Sequence, residues 1–326
     1  MSDQWNHKIF GVKEDGFEAL ALEIFRFQSL HCVVYKEFLQ ALKVNPVEIK
    51  KVEQIPFLPV RFFKSHTVQT TSFEPAIIFE SSGTTGSINS RHPVKELLLY
   101  EESFIKAFEI SYGPVNEWCI LGLLPSYLER RNSSLVYMVD KLIQLSEHPQ
   151  SGFYLNEFEN LFAVLNELEK ARQKTLLIGV TFALIDFAEK YARPLRHLII
   201  METGGMKGRR EELIRPAVHG ILKKSFSLDR IHSEYGMTEL LSQAYSQGEG
   251  IFHCPHWMKV LVRDEEDPFV VKKVGAGTIN IVDLVNIHSC SFIATDDVGK
   301  INLNGSFEVL GRIDGSDLRG CSLMSV

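Results

Sequence analysis

Between Cys119 and Lys223, short apolar runs alternate with segments of helical periodicity, and this alternation restricts the fold more than any other feature of the chain. Cys119 to Leu124, Thr175 to Val180 and His197 to Met201 are apolar almost throughout, as strands covered on both faces must be. Glu157 to Lys170, Phe182 to Tyr191 and Arg209 to Lys223 read as the intervening helices. Strands alternating with helices predict an α/β architecture with a largely parallel sheet.

Around this centre the pattern changes. From Gly16 to Leu42, Phe17, Leu20, Ile24, Phe27, Leu30 and Val34 recur at helical spacing and predict one amphipathic helix or a broken pair. Ile55 to Lys64 places Pro56 and Pro59 among bulky apolar residues, which predicts an extended stretch laid on the core. Ala76 to Phe79 reads as a further buried strand. Beyond Cys254 the helices stop, and Met258 to Val262, Thr278 to Asp283, Lys300 to Leu303 and Phe307 to Leu310 read as short strands. The expectation is a large body of packed α/β subdomains over residues 1–253, a smaller β-rich subdomain over 254–310 and a hinge-like tail over 311–326.

Composition removes several function classes. At 45% hydrophobic and 23% charged residues the chain is ordinary for a compact globular protein. A formal net charge of -6 gives no general attraction to nucleic acid. The start, Met1 to Lys8, lacks a signal peptide's apolar core, and no run is long enough to span a bilayer. The five cysteines, Cys32, Cys119, Cys254, Cys290 and Cys321, are odd in number and scattered, which suits reduced thiols; the expected compartment is the cytoplasm. His253-Cys254-Pro255-His256 has too few ligands for a structural zinc site unless distant residues join it.

The sharpest local feature is Ser81-Ser82-Gly83-Thr84-Thr85-Gly86-Ser87, directly after a predicted strand. Two glycines let successive N–H groups turn inward, and the Ser82, Thr84 and Thr85 hydroxyls add donors, so the segment suits phosphate oxygens; a polar hairpin turn has the same composition. It is not a Walker loop, because no Gly-Lys-Ser/Thr follows. Gly204-Gly205 would let a flat base lie against bare backbone or would simply turn a strand into a helix. Tyr235 could stack on a base or be a half-buried aromatic, and Glu239 is an oxygen ligand suited to Mg²⁺ or a surface charge. Asp297 can accept two hydroxyl hydrogen bonds and Arg312 can reach a phosphate, yet each taken alone would be an ordinary turn residue.

The order Ser82-Gly83-Thr84-Thr85-Gly86, Gly204-Gly205, Tyr235-Gly236-Met237-Thr238-Glu239, Thr295-Asp296-Asp297-Val298-Gly299 and Gly311-Arg312-Ile313-Asp314 resembles the core motifs of the adenylate-forming superfamily. The resemblance runs from about Ile55 to the last residue. It implies ATP and Mg²⁺ as cofactors, with Ser82, Thr84 and Thr85 on phosphates, Thr238 at a phosphate and Glu239 on Mg²⁺. It further puts Tyr235 and Gly204-Gly205 around adenine, and Asp297 and Arg312 at the ribose, Asp296 being the weaker candidate. Two departures stand out. Ile88 and Asn89 occupy the places of a usual Pro-Lys, with Arg91 two residues later, and the superfamily's mobile small domain with its catalytic lysine is lacking before Val326. Lys207, Arg209 and Arg210 are the cations that could answer charge on the α-phosphate instead; they also fit a solvated basic turn.

Ile55 to Lys64, Thr203-Gly204-Gly205-Met206-Lys207 and Leu318-Arg319-Gly320-Cys321-Ser322 are similar to the acyl-protein synthetase family, whose known member activates fatty acids in the bacterial bioluminescence reductase complex. That resemblance implies acyl transfer from AMP to Cys321, then to a reductase subunit or other acyl-acceptor protein. Arg312 and Arg319 would favour the Cys321 thiolate; burial as a small apolar residue is its plain alternative. Ligation to coenzyme A or a carrier protein, and a nucleotide-binding regulatory pseudoenzyme, remain open at this point.

Overall fold

The computed structural model describes residues 2–82, 88–125, 132–155, 157–204 and 213–313. The chain forms two compact units. The first comprises Met1–Phe104, Met237–Gln243 and His253–Ser316, and the second Ile105–Gly236, Ala244–Phe252 and Asp317–Val326.

The second unit contains the alternation. Cys119–Leu123, Thr175–Gly179, Leu198–Glu202 and His232–Tyr235 lie side by side and parallel, with Gly152–Phe153 on the outer edge and Ala244–Ser246 added antiparallel. Cys119–Leu123 and Thr175–Gly179 are buried at every residue. This is why they read as unbroken apolar runs. The helices Phe158–Ala171, Thr181–Lys190 and Arg215–Phe226 follow successive strands. Their inward faces, including Leu165, Phe187 and Phe226, join Leu121, Leu177 and Ile200 in one core. The last helix begins at Arg215, later than its periodicity predicts, because Pro216 belongs in a first turn where its missing N–H costs nothing.

In the first unit, the expected N-terminal helix is a pair, Phe17–His31 and Val33–Ala41, broken at Cys32, whose backbone is extended and bridges to Thr70. Phe17, Leu20 and Ile24 are buried, but Leu30 is 67% exposed and takes no part in the core. Within Ile55 to Lys64, only Leu58–Pro59 is a strand; Phe62–Ser65 turns helical, since no proline follows Pro59 to prevent it. Met258–Arg263, Gly275–Asp283, Phe292–Ile301 and Phe307–Arg312 form an antiparallel meander, with Leu58–Pro59 paired parallel to Phe292–Ile301. The strand expected over Lys300 to Leu303 is the end of Phe292–Ile301, and Leu303 is exposed in the turn. Gly299 is required there. A Cβ on it would stand 2.5 Å from the Glu308 carbonyl oxygen and 2.6 Å from Ile279 Cδ1.

Ile77–Glu80 and Arg91–Val94 form a separate antiparallel hairpin, closed by Ser81 N–H donating to the Ser90 carbonyl and Ser90 N–H donating to Ser81 Oγ. Ser81 and Ser82 thus follow the first strand of the hairpin, and Gly83 to Ser87 lie outside the described residues.

Candidate functional site

In the second unit two motifs stand at one edge of the sheet. Met201 and Glu202 pair with His232 and Ser233, so Gly204 and Tyr235-Gly236 follow the carboxyl ends of adjacent parallel strands. In open α/β sheets that edge is where ligands bind. Gly204 has φ +77, which favours glycine, and among the described residues a Cβ built on it would meet nothing within 4 Å.

Glu202 organises this edge. It is 6% exposed, and Oε1 accepts from Thr181 Oγ1 at 2.6 Å and from Gly204 N at 2.8 Å. Oε2 lies 3.4 Å from Ser233 Oγ, 3.8 Å from Arg215 Nε and 3.9 Å from His219 Nε2. Burial pushes this carboxyl up, but the neighbouring His219, the Arg215 charge and the hydrogen bond from Thr181 outweigh it and hold its pKa below the usual range. The Arg215 guanidinium also lies 5.3 Å from the Phe252 ring centroid, and Phe252 meets the buried Tyr235 ring at 5.9 Å. One chain of contacts thus runs from Gly204 through Glu202, Arg215 and Phe252 to Tyr235. Beside it, burial and the Glu202 charge push the Glu234 carboxyl up to about 8.

The first unit holds Thr238, Glu239, Asp297 and Arg312. Asp297 and Arg312 are register partners on adjacent strands, and Arg312 Nε donates to Asp297 Oδ1 at 2.7 Å. They are strand residues, not the turn residues that composition alone favours. Asp297 N–H bonds Thr295 Oγ1 at 3.1 Å, which fixes the backbone beneath the carboxylate. Asp296, one residue away, faces Arg61 at 3.2 Å. Arg263 anchors the same strand by donating to the Thr295 carbonyl at 2.6 Å.

The segment carrying Thr238 and Glu239 is held by its backbone. His92 Nδ1 lies 2.9 Å from the Thr238 carbonyl, which can only accept, so Nδ1 carries the proton and Nε2 accepts from Ser289 Oγ at 2.9 Å. Burial lowers this imidazole to about 4, so it is neutral at ordinary pH. Asn286 Nδ2 donates to the Glu239 carbonyl at 2.7 Å. Asp283, completely buried, accepts from Leu241 N, Ser242 N, Ser242 Oγ and Val285 N at 2.6 to 3.1 Å. Burial pushes Asp283 up to about 6 despite these donors. Gln28, from the helix Phe17–His31, donates to the Asn286 and Ile287 carbonyls and braces the whole arrangement. Glu239 itself is 5% exposed, and Ser82 is half-buried at the end of the hairpin.

Gly83, Thr84, Thr85, Gly86, Gly205, Lys207, Arg209, Arg210 and Cys321 lie outside the described residues. Among the described residues, no three His, Cys, Asp or Glu side chains are arranged to hold a metal ion. No helix among them is long and apolar enough to cross a membrane. His92, Asp283, Asn286 and Glu202 were not legible as site residues. Only Glu202 carried a signal, as an acid ending an apolar strand immediately before the glycine pair.

Solved structures share this fold. A 2-hydroxyisobutyryl-CoA ligase in the postadenylation state, in complex with R3-HIB-AMP, superposes with a TM-score of 0.65 at 12% identity, over 92% of this chain and 68% of that one. ATP-bound MatB from Rhodopseudomonas palustris gives 0.53 at 15% identity, over 74% and 49%, so the match spans about half of MatB's length. A luciferase-like enzyme from the nonluminescent Zophobas morio mealworm gives 0.52 at 14%, over 76% and 60%. This chain thus shares its fold with part of that CoA ligase and part of ATP-bound MatB. Among curated proteins nothing matches the chain. The family model described as acyl-protein synthetase, LuxE, matches residues 10–325, and the chain belongs to that family.

Proposed function

We propose that this protein activates a carboxylic acid, a fatty acid, with MgATP to give acyl-AMP and pyrophosphate, and then passes the acyl group to the Cys321 thiol and onward to a partner protein. The observation that carries the reading is the family match over residues 10–325, on a fold whose carboxyl sheet edge bears both Gly204 and Tyr235. The backbone at Gly204, which carries no side chain, fits a flat adenine, and Tyr235 is its stacking partner. Asp297, oriented by Arg312, receives the ribose hydroxyls. Ser82, Thr84 and Thr85, with the backbone of Gly83 and Gly86, hold phosphates beside Thr238. Glu239 binds Mg²⁺, which neutralises phosphate charge when bound. Lys207 and Arg209 answer the charge that builds on the α-phosphate as the carboxylate attacks.

The thiols support Cys321 as acceptor. Burial raises the pKa values of the other four, Cys119 to about 11 and Cys254 to about 12, with Cys32 and Cys290 also raised. None of these four is a ready thiolate near neutrality.

Carboxylate-dependent exchange of pyrophosphate into ATP, measured across acids of increasing chain length, tests the first step. Glu239→Gln and Thr85→Ala should each lower it on the order of a hundredfold; exchange at the parent rate in both would refute the site. Labelled fatty acid and MgATP should leave hydroxylamine-labile label on the protein. Cys321→Ser should abolish that label and preserve exchange. Label found only on added coenzyme A would place the acceptor elsewhere.

A further inference from the structure

Thr295, Asp296 and Asp297 sit where two strands of the meander fall out of register. Between Gly275–Asp283 and Phe292–Ile301, Thr278 pairs with Val298 and Asn280 with Ala294, so Ile279 alone stands opposite all three residues. A bulge of this kind takes backbone groups out of the ladder and re-aims the side chains it carries. Thr295 Oγ1 donates to the Ile279 carbonyl at 2.9 Å and accepts from Asp297 N at 3.1 Å. Ile313 N donates to the Asp296 carbonyl at 3.0 Å. The remaining donors come from Arg263, at the end of the neighbouring strand Met258–Arg263. Its Nη1 donates to the Ile279 carbonyl at 3.0 Å and to Asn280 Oδ1 at 2.7 Å, and its Nη2 to the Thr295 carbonyl at 2.6 Å. One guanidinium thus reaches across the middle strand and ties both sides of the bulge. Burial works against its charge, and the Asp296 and Asp297 carboxylates support it.

We propose that Arg263 is a positioning residue for sugar recognition: it clamps the bulge, and through it holds the Asp297 carboxylate in the orientation that accepts two ribose hydroxyls. This deepens the adenylation reading and rests on it. Thr295 is the second point of the clamp, since its hydroxyl joins Ile279 to Asp297 N. A buried carbonyl without a donor is costly, so a bulge deprived of Arg263 would rearrange to recover one and turn the carboxylate with it. Lysine would keep the charge but lacks the planar fork that meets separate acceptors on two strands. Arg263 acts on the sugar only through Asp297, so its signature is selectivity among sugars.

Equilibrium binding of ATP, 2′-deoxy-ATP and 3′-deoxy-ATP to the full chain, without acid, reads that selectivity directly. The parent should prefer ATP over the deoxy analogues by on the order of tenfold, because each analogue leaves a carboxylate oxygen without its hydroxyl. Arg263→Met should cut the preference to about threefold or less, and Arg263→Lys should fall between the two. Thr295→Val attacks the clamp from its other side and should also reduce the preference, while Thr295→Ser, which keeps the hydroxyl, should return most of it; this pair carries the test if Arg263→Met fails to fold. A merely structural role would weaken all three ligands alike and keep their ratio. An unchanged ratio in Arg263→Lys and Thr295→Val overturns the proposal and leaves the adenylation reading standing. Absence of any preference in the parent removes the ribose assignment of Asp297, and the proposal with it.

Discussion

At the carboxyl edge of the parallel sheet, Glu202 gathers Thr181, Gly204, Ser233, Arg215 and His219 about a single buried carboxylate, and so shapes a turn. In the antiparallel meander, Asp297 and Arg312 meet because register sets them opposite, while Asp283, Asn286 and His92 fix the Thr238–Ser242 segment through its backbone. A parallel sheet delivers ligand-binding loops at one edge and leaves their shape to local side chains. An antiparallel sheet aligns the side chains themselves. The first arrangement depends on one residue and the second is distributed, so the two units should respond differently to substitution.

The largest effect should follow loss of the Asp283 carboxylate. Asp283→Ala leaves Ser242 N, Ser242 Oγ and Val285 N buried without their acceptor, whereas Leu241 N retains Asn286 Oδ1 at 3.1 Å. The expected cost is on the order of 4 kcal/mol, read by urea denaturation; a cost below about 1 kcal/mol would show that the segment is held by other means.

Next comes the acid limb of stability. His92 is held near 4 by burial, below its ordinary 6.5. Above pH 6.5 both states are neutral and its contribution is complete. As pH falls toward 4, the unfolded chain takes up a proton that the folded chain refuses, and on the order of 3 kcal/mol is lost. His92→Asn retains a donor for the Thr238 carbonyl and cannot titrate, so its denaturation midpoint should fall less steeply between pH 6.5 and 4. His92→Ala should lose the donor as well. A parallel acid limb in all three proteins would remove His92 from the explanation.

Glu202→Gln should cost less, about 1 to 2 kcal/mol, because shape is kept and one acceptor oxygen is lost. Its sharper readout is catalytic. A disturbed Gly204 turn should raise the KM for ATP severalfold with little change in kcat, and a change in kcat alone would place Glu202 outside nucleotide binding. The smallest effect concerns thiol chemistry: at pH 8, iodoacetamide should reach Cys32, Cys119, Cys254 and Cys290 slowly in the folded protein and rapidly in urea. Fast labelling of the folded Cys321→Ser variant would contradict that order.

The helices and the covered parallel strands were legible because their periodicity is a local record of which faces are buried. Phe187, Leu177 and Ile200 announce the core of the second unit from sequence alone. Strand positions in the meander were less legible: Asp297 and Arg312 carry turn-like polarity, yet they lie within Phe292–Ile301 and Phe307–Arg312. The order of the motifs resembles that of the adenylate-forming superfamily, and the acyl-protein synthetase family model matches residues 10–325.

The sequence by itself therefore determined the α/β architecture and the family. Tertiary structure decided which distant groups are partners. Asp297 with Arg312, His92 with Thr238, Asn286 with Glu239 and Gln28 with Asn286 are separated by 15, 146, 47 and 258 positions. No local pattern encodes such pairings, since a buried polar group is satisfied by whichever donor or acceptor the folded chain brings to it.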